Sequence, residues 1–197
     1  MPENSDSDGT LIADVLSGKT ERFAIIVNRY QRALLNVAKS RLGRDDWAED
    51  VTQEAFLCAF KSLKSYDSTY SFRTWLWTIL LNQCRRHYQK SQRKPQVNLW
   101  TDGQARDDFS LEQEALLESE TETAESQLMA KEQTEKLERM FGMLPEAQAD
   151  ALRLRFYGGL KFQEIANTMG CSLSTAKNRV RWGLTAISEQ LVLGEKE

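Results

Sequence analysis

The chain has 197 residues, 41% of them hydrophobic and 28% charged, with a formal charge of −3 at pH 7. That length holds one large domain or two small ones, and the composition supports packed cores rather than a disordered polymer. No apolar run approaches the roughly 20 residues needed to cross a bilayer, the N-terminus MPENSDSDG has no secretory pattern, and the three cysteines (Cys58, Cys84, Cys171) have neither zinc nor disulfide spacing. A cytoplasmic protein without membrane insertion, metal or cofactor is the expectation, and a single histidine, His87, argues against histidine-based metal or acid–base chemistry.

In chain order, a short helix is expected over Asp8–Ser17. A longer one follows over Glu21–Leu42, burying Phe23, Ile26, Val27, Tyr30, Leu34, Val37 and Ala38 and stopping at Gly43. The spacing predicts a third over Asp46–Leu63, with Val51, Ala55, Phe56, Cys58, Phe60 and Leu63 inward. A fourth is expected over Ser71–Gln92, burying Phe72, Trp75, Leu76, Ile79, Leu80, Cys84 and Tyr88, before Pro95 interrupts the pattern. Residues 96–130 lose apolar periodicity and have the composition of a flexible tether. Helices resume over Ala130–Met143 and Glu146–Phe156, the second opened by Pro145. Strand signals and internal repeats are absent, so the fold class is all-α: two small helical domains joined by an acidic linker.

Residues 162–191 hold the most specific local pattern. Phe162–Met169 reads as a short amphipathic helix, Gly170 breaks it, and Ser172 or Ser174 caps a second helix running to Leu191. Leu173, Ala176, Val180, Leu184, Ile187 and Leu191 form its apolar stripe, opposite Thr175, Lys177, Asn178, Arg179, Arg181 and Trp182. Two helices across a glycine turn, the second with a basic and amide-bearing face, form a helix-turn-helix suited to a DNA major groove.

The net negative charge conceals a pattern. Residues 71–101 carry six bases and no acid, and residues 153–182 carry six bases against Glu164. Residues 102–138 carry twelve acids and three bases. Two basic modules therefore flank an acidic strip.

Within the first module, Thr78, Asn82, Arg85, Arg86 and Gln89 share the outer face of their helix, pairing an amide for base edges with guanidiniums for phosphates. The preceding loop, Tyr66-Asp67-Ser68-Thr69-Tyr70-Ser71, brings aromatics to that surface, where stacking on an unpaired base contributes on the order of 1–3 kcal/mol. By periodicity Phe72, Trp75 and Trp77 also fit an ordinary core, whereas Tyr66 and Tyr70 fit one less well. Asp50, Gln53 and Glu54 share an exposed face in AEDVTQEAF; from spacing alone this is a solvated acidic face, lacking a partner for catalysis.

The ordered set RYQRALLNVAKSRLG, DWAEDVTQEAFLCAFKSL, SFRTWLWTILLNQCRRHY and the distal helix-turn-helix resembles the bacterial RNA polymerase sigma factors of the extracytoplasmic-function (ECF) group, over residues 20–95 and 130–191. The resemblance implies a specificity factor that binds core RNA polymerase and promoter DNA and has no catalysis of its own. Its implied organisation is an N-terminal extension over 1–20, region 2 over 21–95, a linker over 96–130 and region 4 over 131–197. It implies that Asp50, Gln53 and Glu54 dock on the clamp helices of the largest polymerase subunit. It also implies that Asn82, Arg85 and Arg86 contact the −10 element, and that the Tyr66–Ser71 loop, with Tyr66, Asp67 and Tyr70, captures a flipped-out base. Ser174, Thr175, Lys177, Asn178, Arg181 and Trp182 correspond to the −35 reading face, with Lys161, Arg153 and Arg155 set against phosphates. Trp182 departs from the basic side chain often found there, which leaves an apolar DNA contact or internal packing. Members commonly pair with an anti-sigma factor, which makes one a candidate partner.

The acidic strip has two readings: a mimic of the nucleic-acid polyanion in the polymerase channel, tested through Asp107, Asp108, Glu112 and Glu114, or a plain tether. Two other identities fit parts of the chain. LPEAQADALRLRFYGGLKFQEIA also resembles the C-terminal domain of LuxR-type regulators, although no receiver-like alternation of strands and helices precedes it. Asp45, Asp46, Glu49, Asp50 and Glu54 are the only dense carboxylates a metal-dependent nuclease could use, and no histidine or lysine of suitable spacing accompanies them.

Overall fold

The structure is a computed structural model that describes residues 6–92 and 136–194; the linker, including Asp107, Asp108, Glu112 and Glu114, lies outside the described residues. Every regular element among the described residues is helical. In chain order these are α1 (Asp8–Leu16), α2 (Phe23–Leu42), α3 (Asp45–Lys61), α4 (Phe72–Gln92), α5 (136–143), α6 (Glu146–Phe156), α7 (Phe162–Thr168) and α8 (Leu173–Gly194). Short 3₁₀ turns, Thr20–Arg22 and Leu63–Ser65, precede α2 and follow α3.

The N-terminal bundle packs α2 against α3 and α3 against α4, with α1 laid across α2. Its interior comes from Ile26, Leu34, Val37 and Ala38 of α2, Val51, Ala55 and Ala59 of α3, and Leu76, Leu80 and Cys84 of α4. Alanines at 48, 55 and 59 recur at helical spacing and are fully buried, so α2 and α4 approach the α3 backbone closely. Burying each leucine contributes about 1.5–3 kcal/mol.

The C-terminal domain is centred on α6, whose residues Ala149 through Leu154 are all buried. Helix α8 packs along it through Ala176, Val180 and Gly183, the last pressed against Leu152. α7 packs on α8 through Ile165 and Ala166.

The domains touch. The fully buried Trp77 of α4 lies beneath Gly158, where a Cβ would meet the Leu154 carbonyl at 2.7 Å and the indole at 3.2 Å. No side chain fits at 158 without displacing one of the two. Beside this contact, Arg41 bonds Asp150 and Glu146, and Arg153 donates to Ser40 at 3.0 Å and to Asp150 at 3.3 Å. The Arg41, Asp150 and Arg153 side chains are each only 7% exposed.

Three expectations change and one open reading is settled. Phe60 is exposed, its edge set against Phe23 at 5.1 Å on the flank of the bundle. Tyr88 is exposed near the end of α4, past the buried run that ends at Cys84. Trp77, an ambiguous aromatic in sequence, is core. On α8 the buried stripe ends at Val180 and Gly183: Leu184 and Leu191 are exposed because the C-terminal turns run past α6 and α7, and Leu173 is exposed at the opposite end, in the first turn of the helix.

Candidate nucleic-acid interface

The Tyr66–Ser71 loop is held by its own polar groups. The Asp67 carboxylate accepts the Thr69 N–H at 2.8 Å, and the Tyr66 hydroxyl donates to the Tyr70 carbonyl at 2.6 Å. Ser71 then caps α4 by accepting the Thr74 N–H at 3.2 Å. The Thr69 hydroxyl and N–H hold the Asp67 carboxyl below its ordinary pKa. Burial raises the Tyr66 phenol above its own, with the nearby Asp8 and Asp67 charges adding to it. Tyr66, half-buried, lies 5.2 Å from Trp75 and 5.7 Å from Phe72, centroid to centroid. Tyr70 stands free of this cluster with 56% of its surface exposed. The loop thus presents one fixed and one open aromatic beside the start of α4.

Along α4, Asn82, Arg85 and Arg86 are all exposed, and Arg85 donates to the Asn82 carbonyl oxygen at 3.3 Å. Thr78 bonds back to the Thr74 carbonyl, leaving the amide and guanidiniums as the exposed polar groups of this face. Asp50, Gln53 and Glu54 are all exposed on α3. Asp45 pairs with Lys39 and Asp46 with Arg44, and among the described residues no three acidic, histidine or cysteine side chains converge as a metal site.

In the C-terminal domain, Glu164 accepts the Lys161 N–H at 2.7 Å at the start of α7. Gly170, at φ +59°, makes the left-handed turn, and the Ser172 hydroxyl accepts the Thr175 N–H at 3.1 Å to open α8. Lys161, Ser174, Lys177, Arg181 and Trp182 are exposed, and Thr175 and Asn178 are half-buried on the same surface. Trp182 is 52% exposed, so its indole is available to a ligand rather than packed inside.

Two residues set against phosphates do other work. Arg153 is buried in the domain contact, where burial, reinforced by the facing Arg41 guanidinium, lowers its pKa to about 10. Arg155 donates to the Leu160 carbonyl at 2.8 Å and stacks on Phe162 at 5.0 Å. Since α6 is enclosed almost all round, its arginines are used internally, and of that trio only Lys161 faces outward.

Sequence reasoning also missed how the two surfaces meet. Thr78, Asn82 and Arg85 of α4 and Asp150, Thr168 and Arg179 of the C-terminal domain line one cleft of about 480 Å³. No local signal encodes it, because Arg41 and Asp150 are 109 positions apart.

The Sigma-70 region 2 family matches residues 26–94, and the Sigma-70, region 4 family matches residues 134–187. The RNA polymerase sigma-H factor of Pseudomonas aeruginosa is 28% identical over 186 residues, covering 94% of each chain. The ECF RNA polymerase sigma-E factor of Escherichia coli K12 is 28% identical over 185 residues, again 94% of each. The fold is shared with CnrH, solved in complex with the cytosolic domain of CnrY (TM-score 0.71, 22% identity, 95% of this chain and 99% of that one). It is shared too with the sigma factor RpoE of Bartonella quintana, solved with the anti-sigma factor NepR (TM-score 0.61, 22% identity, 86% and 96%). A stand-alone regulator of the LuxR type would lack the region 2 half. With regions 2 and 4 matched in order along one all-helical chain, and with full-length relatives of the same kind, the chain belongs to the sigma-70 family of RNA polymerase sigma factors, in its ECF group.

Proposed function

We propose that the chain binds core RNA polymerase and directs it to promoters with its two basic helical surfaces, in the cytoplasm and with no catalytic chemistry of its own. Residues 21–95 form the region 2 module and residues 131–197 the region 4 module, with residues 1–20 an extension and 96–130 the linker. Asp50, Gln53 and Glu54 dock on the polymerase, Asn82, Arg85 and Arg86 contact the −10 element, and Tyr66, Asp67 and Tyr70 capture an unpaired base. Lys161, Ser174, Thr175, Lys177, Asn178, Arg181 and Trp182 meet the −35 element, the lysines and arginine supplying phosphate contacts and Asn178 an amide for base edges.

The carrying observation is the pair of exposed basic helix faces, on α4 and α8, in one chain matched by both sigma regions. The contact between domains is compatible with this only if it opens. Elements about 25 base pairs apart span roughly 80 Å of duplex, whereas Asn82 and Arg179 line a single cleft. An anti-sigma factor that holds the domains together is the partner this arrangement fits, and RpoE, which shares the fold, was solved with the anti-sigma factor NepR.

Run-off transcription on a promoter library, with core polymerase and with or without the chain, tests the reading. New start sites that appear only with the chain, and a stoichiometric complex with core, are expected; unchanged start sites and no complex would reject it.

A further inference from the structure

One hydrogen bond that uses none of the polymerase- or DNA-facing groups stands behind the base-capturing loop. Ser7 caps α1 by accepting the Thr10 N–H, which fixes the first turn and places Asp8 over α2. There the Tyr30 hydroxyl donates to Asp8 Oδ2 at 2.5 Å, and Arg29 holds the other carboxylate oxygen. Tyr30 is half-buried, and burial, followed by this bond to a carboxylate, raises its phenol well above the ordinary value, so it remains a donor at neutral pH. Its ring centroid is 6.4 Å from Phe72, which is 5.7 Å from both Tyr66 and Trp75. The run ends at the Tyr66 hydroxyl, which pins the Tyr70 carbonyl. The 3₁₀ turn at Leu63–Ser65, which leads into the loop, also rests on α1.

Tyr66 thus packs on the buried Phe72, Phe72 on Tyr30, and the far ring of the run is placed by a single charge-assisted bond. Without it, Tyr30 keeps its packing but loses the fixed depth of its ring, and Phe72 and Tyr66 gain room to turn. Arg29 still satisfies Asp8, so the loss falls on the aromatic stack rather than on an uncompensated buried charge.

We infer that Asp8 and Tyr30 are positioning residues for promoter opening, setting the Tyr66–Tyr70 loop in the shape that receives an extruded base. This rests on the proposed role of that loop. It assigns α1 a role in DNA melting rather than only in completing the bundle.

The test uses holoenzyme assembled from core polymerase and the full chain, once its promoters are known from run-off mapping. Binding is measured to the single-stranded non-template −10 segment, intact and with each nucleotide in turn made abasic. At the captured position the unsubstituted chain should lose roughly tenfold in affinity when the base is removed, the scale of one aromatic stacking contact. In Tyr30→Phe, which keeps the ring and removes the hydroxyl, that ratio should fall to about twofold, with core affinity and −35 duplex binding unchanged. Asp8→Asn, at a partly exposed site where folding is not at stake, should give an intermediate ratio because an acceptor oxygen remains. A merely structural role would lower core and −35 binding together and leave the abasic ratio intact. Full ratios in both variants would overturn the inference while leaving the loop's role standing. An unsubstituted chain indifferent to every abasic position would instead overturn the loop's role, and this inference with it.

Discussion

The two basic helix faces rest on different foundations. Helix α8 presents Lys177, Arg181 and Trp182 from a local device: a short helix, one left-handed glycine and a serine cap, all within residues 162–175. Helix α4 presents Asn82, Arg85 and Arg86 from a helix whose inner face carries Trp77 into the second domain and whose leading loop leans on Phe72 and Trp75, the first of them backed by Tyr30 of α2. The local device works wherever its domain sits. The other depends on contacts distant in sequence, so the same residues can be coupled to the state of the whole molecule.

Removing the long-range support should have the largest effect. Trp77→Ala should cost about 3–5 kcal/mol, as for a large aromatic removed from a packed interior. Urea denaturation followed by circular dichroism measures it. A loss below about 1 kcal/mol would show that α4 does not depend on the second domain.

The next largest effect is expected at the charged contact. Asp150→Ala leaves Arg41 and Arg153 buried without their shared carboxylate, which destabilises the closed arrangement by about 3 kcal/mol. Glu146→Ala removes an exposed partner of the same Arg41 and should cost less than about 1 kcal/mol. Small-angle scattering distinguishes them: the radius of gyration should grow in the first variant and hold in the second, with helical content kept in both. Equal behaviour would mean that the contact is held by Trp77 and Gly158 alone.

The same contrast decided what could be read in advance. Helices α2, α3 and α4, the helix-turn-helix and the outer faces of α4 and α8 follow from spacing of three and four, from Gly43 and Gly170, and from where the charges cluster. Those signals are local. Arg153 and Arg155 were set against phosphates because a sequence shows a charge without showing that its helix is enclosed all round, as α6 is. The exposed Leu184 and Leu191 have the opposite cause, since periodicity marks an apolar face without showing whether a neighbour reaches it. Tyr30 could be read as core, but its bond to Asp8 joins residues 22 positions apart and left no pattern.

A smaller effect sharpens the DNA side. Asn178→Ala on α8 and Asn82→Ala on α4 should each lower transcription from a cognate promoter roughly tenfold, the value of one amide–base contact, with core affinity unchanged. They should differ in step: permanganate footprinting should find fewer unpaired thymines per bound complex for Asn82→Ala and fewer bound complexes for Asn178→Ala. Loss of core binding in either variant would move that helix out of the DNA interface.

The smallest effect isolates the inner face of α4 by pH. Burial pushes the Cys84 thiol from 9.0 up to about 11. The unfolded chain therefore gives up this proton first, and above pH 9 the native state binds more protons than the unfolded one. Stability then falls as pH rises, by up to about 1.4 kcal/mol per unit, or about 1 kcal/mol between pH 9 and 10. Tyr30, Tyr66 and Tyr157, their phenols raised above 10, add losses of the same sign that develop mainly beyond pH 10. The interval from 9 to 10 thus belongs mainly to Cys84. Cys84→Ala should be less stable throughout by about 1 kcal/mol for the small cavity, yet its melting temperature should decline less steeply than that of the unsubstituted chain across that interval. Parallel curves would place the thiol in contact with solvent and the inner face of α4 away from the packed junction of the two domains.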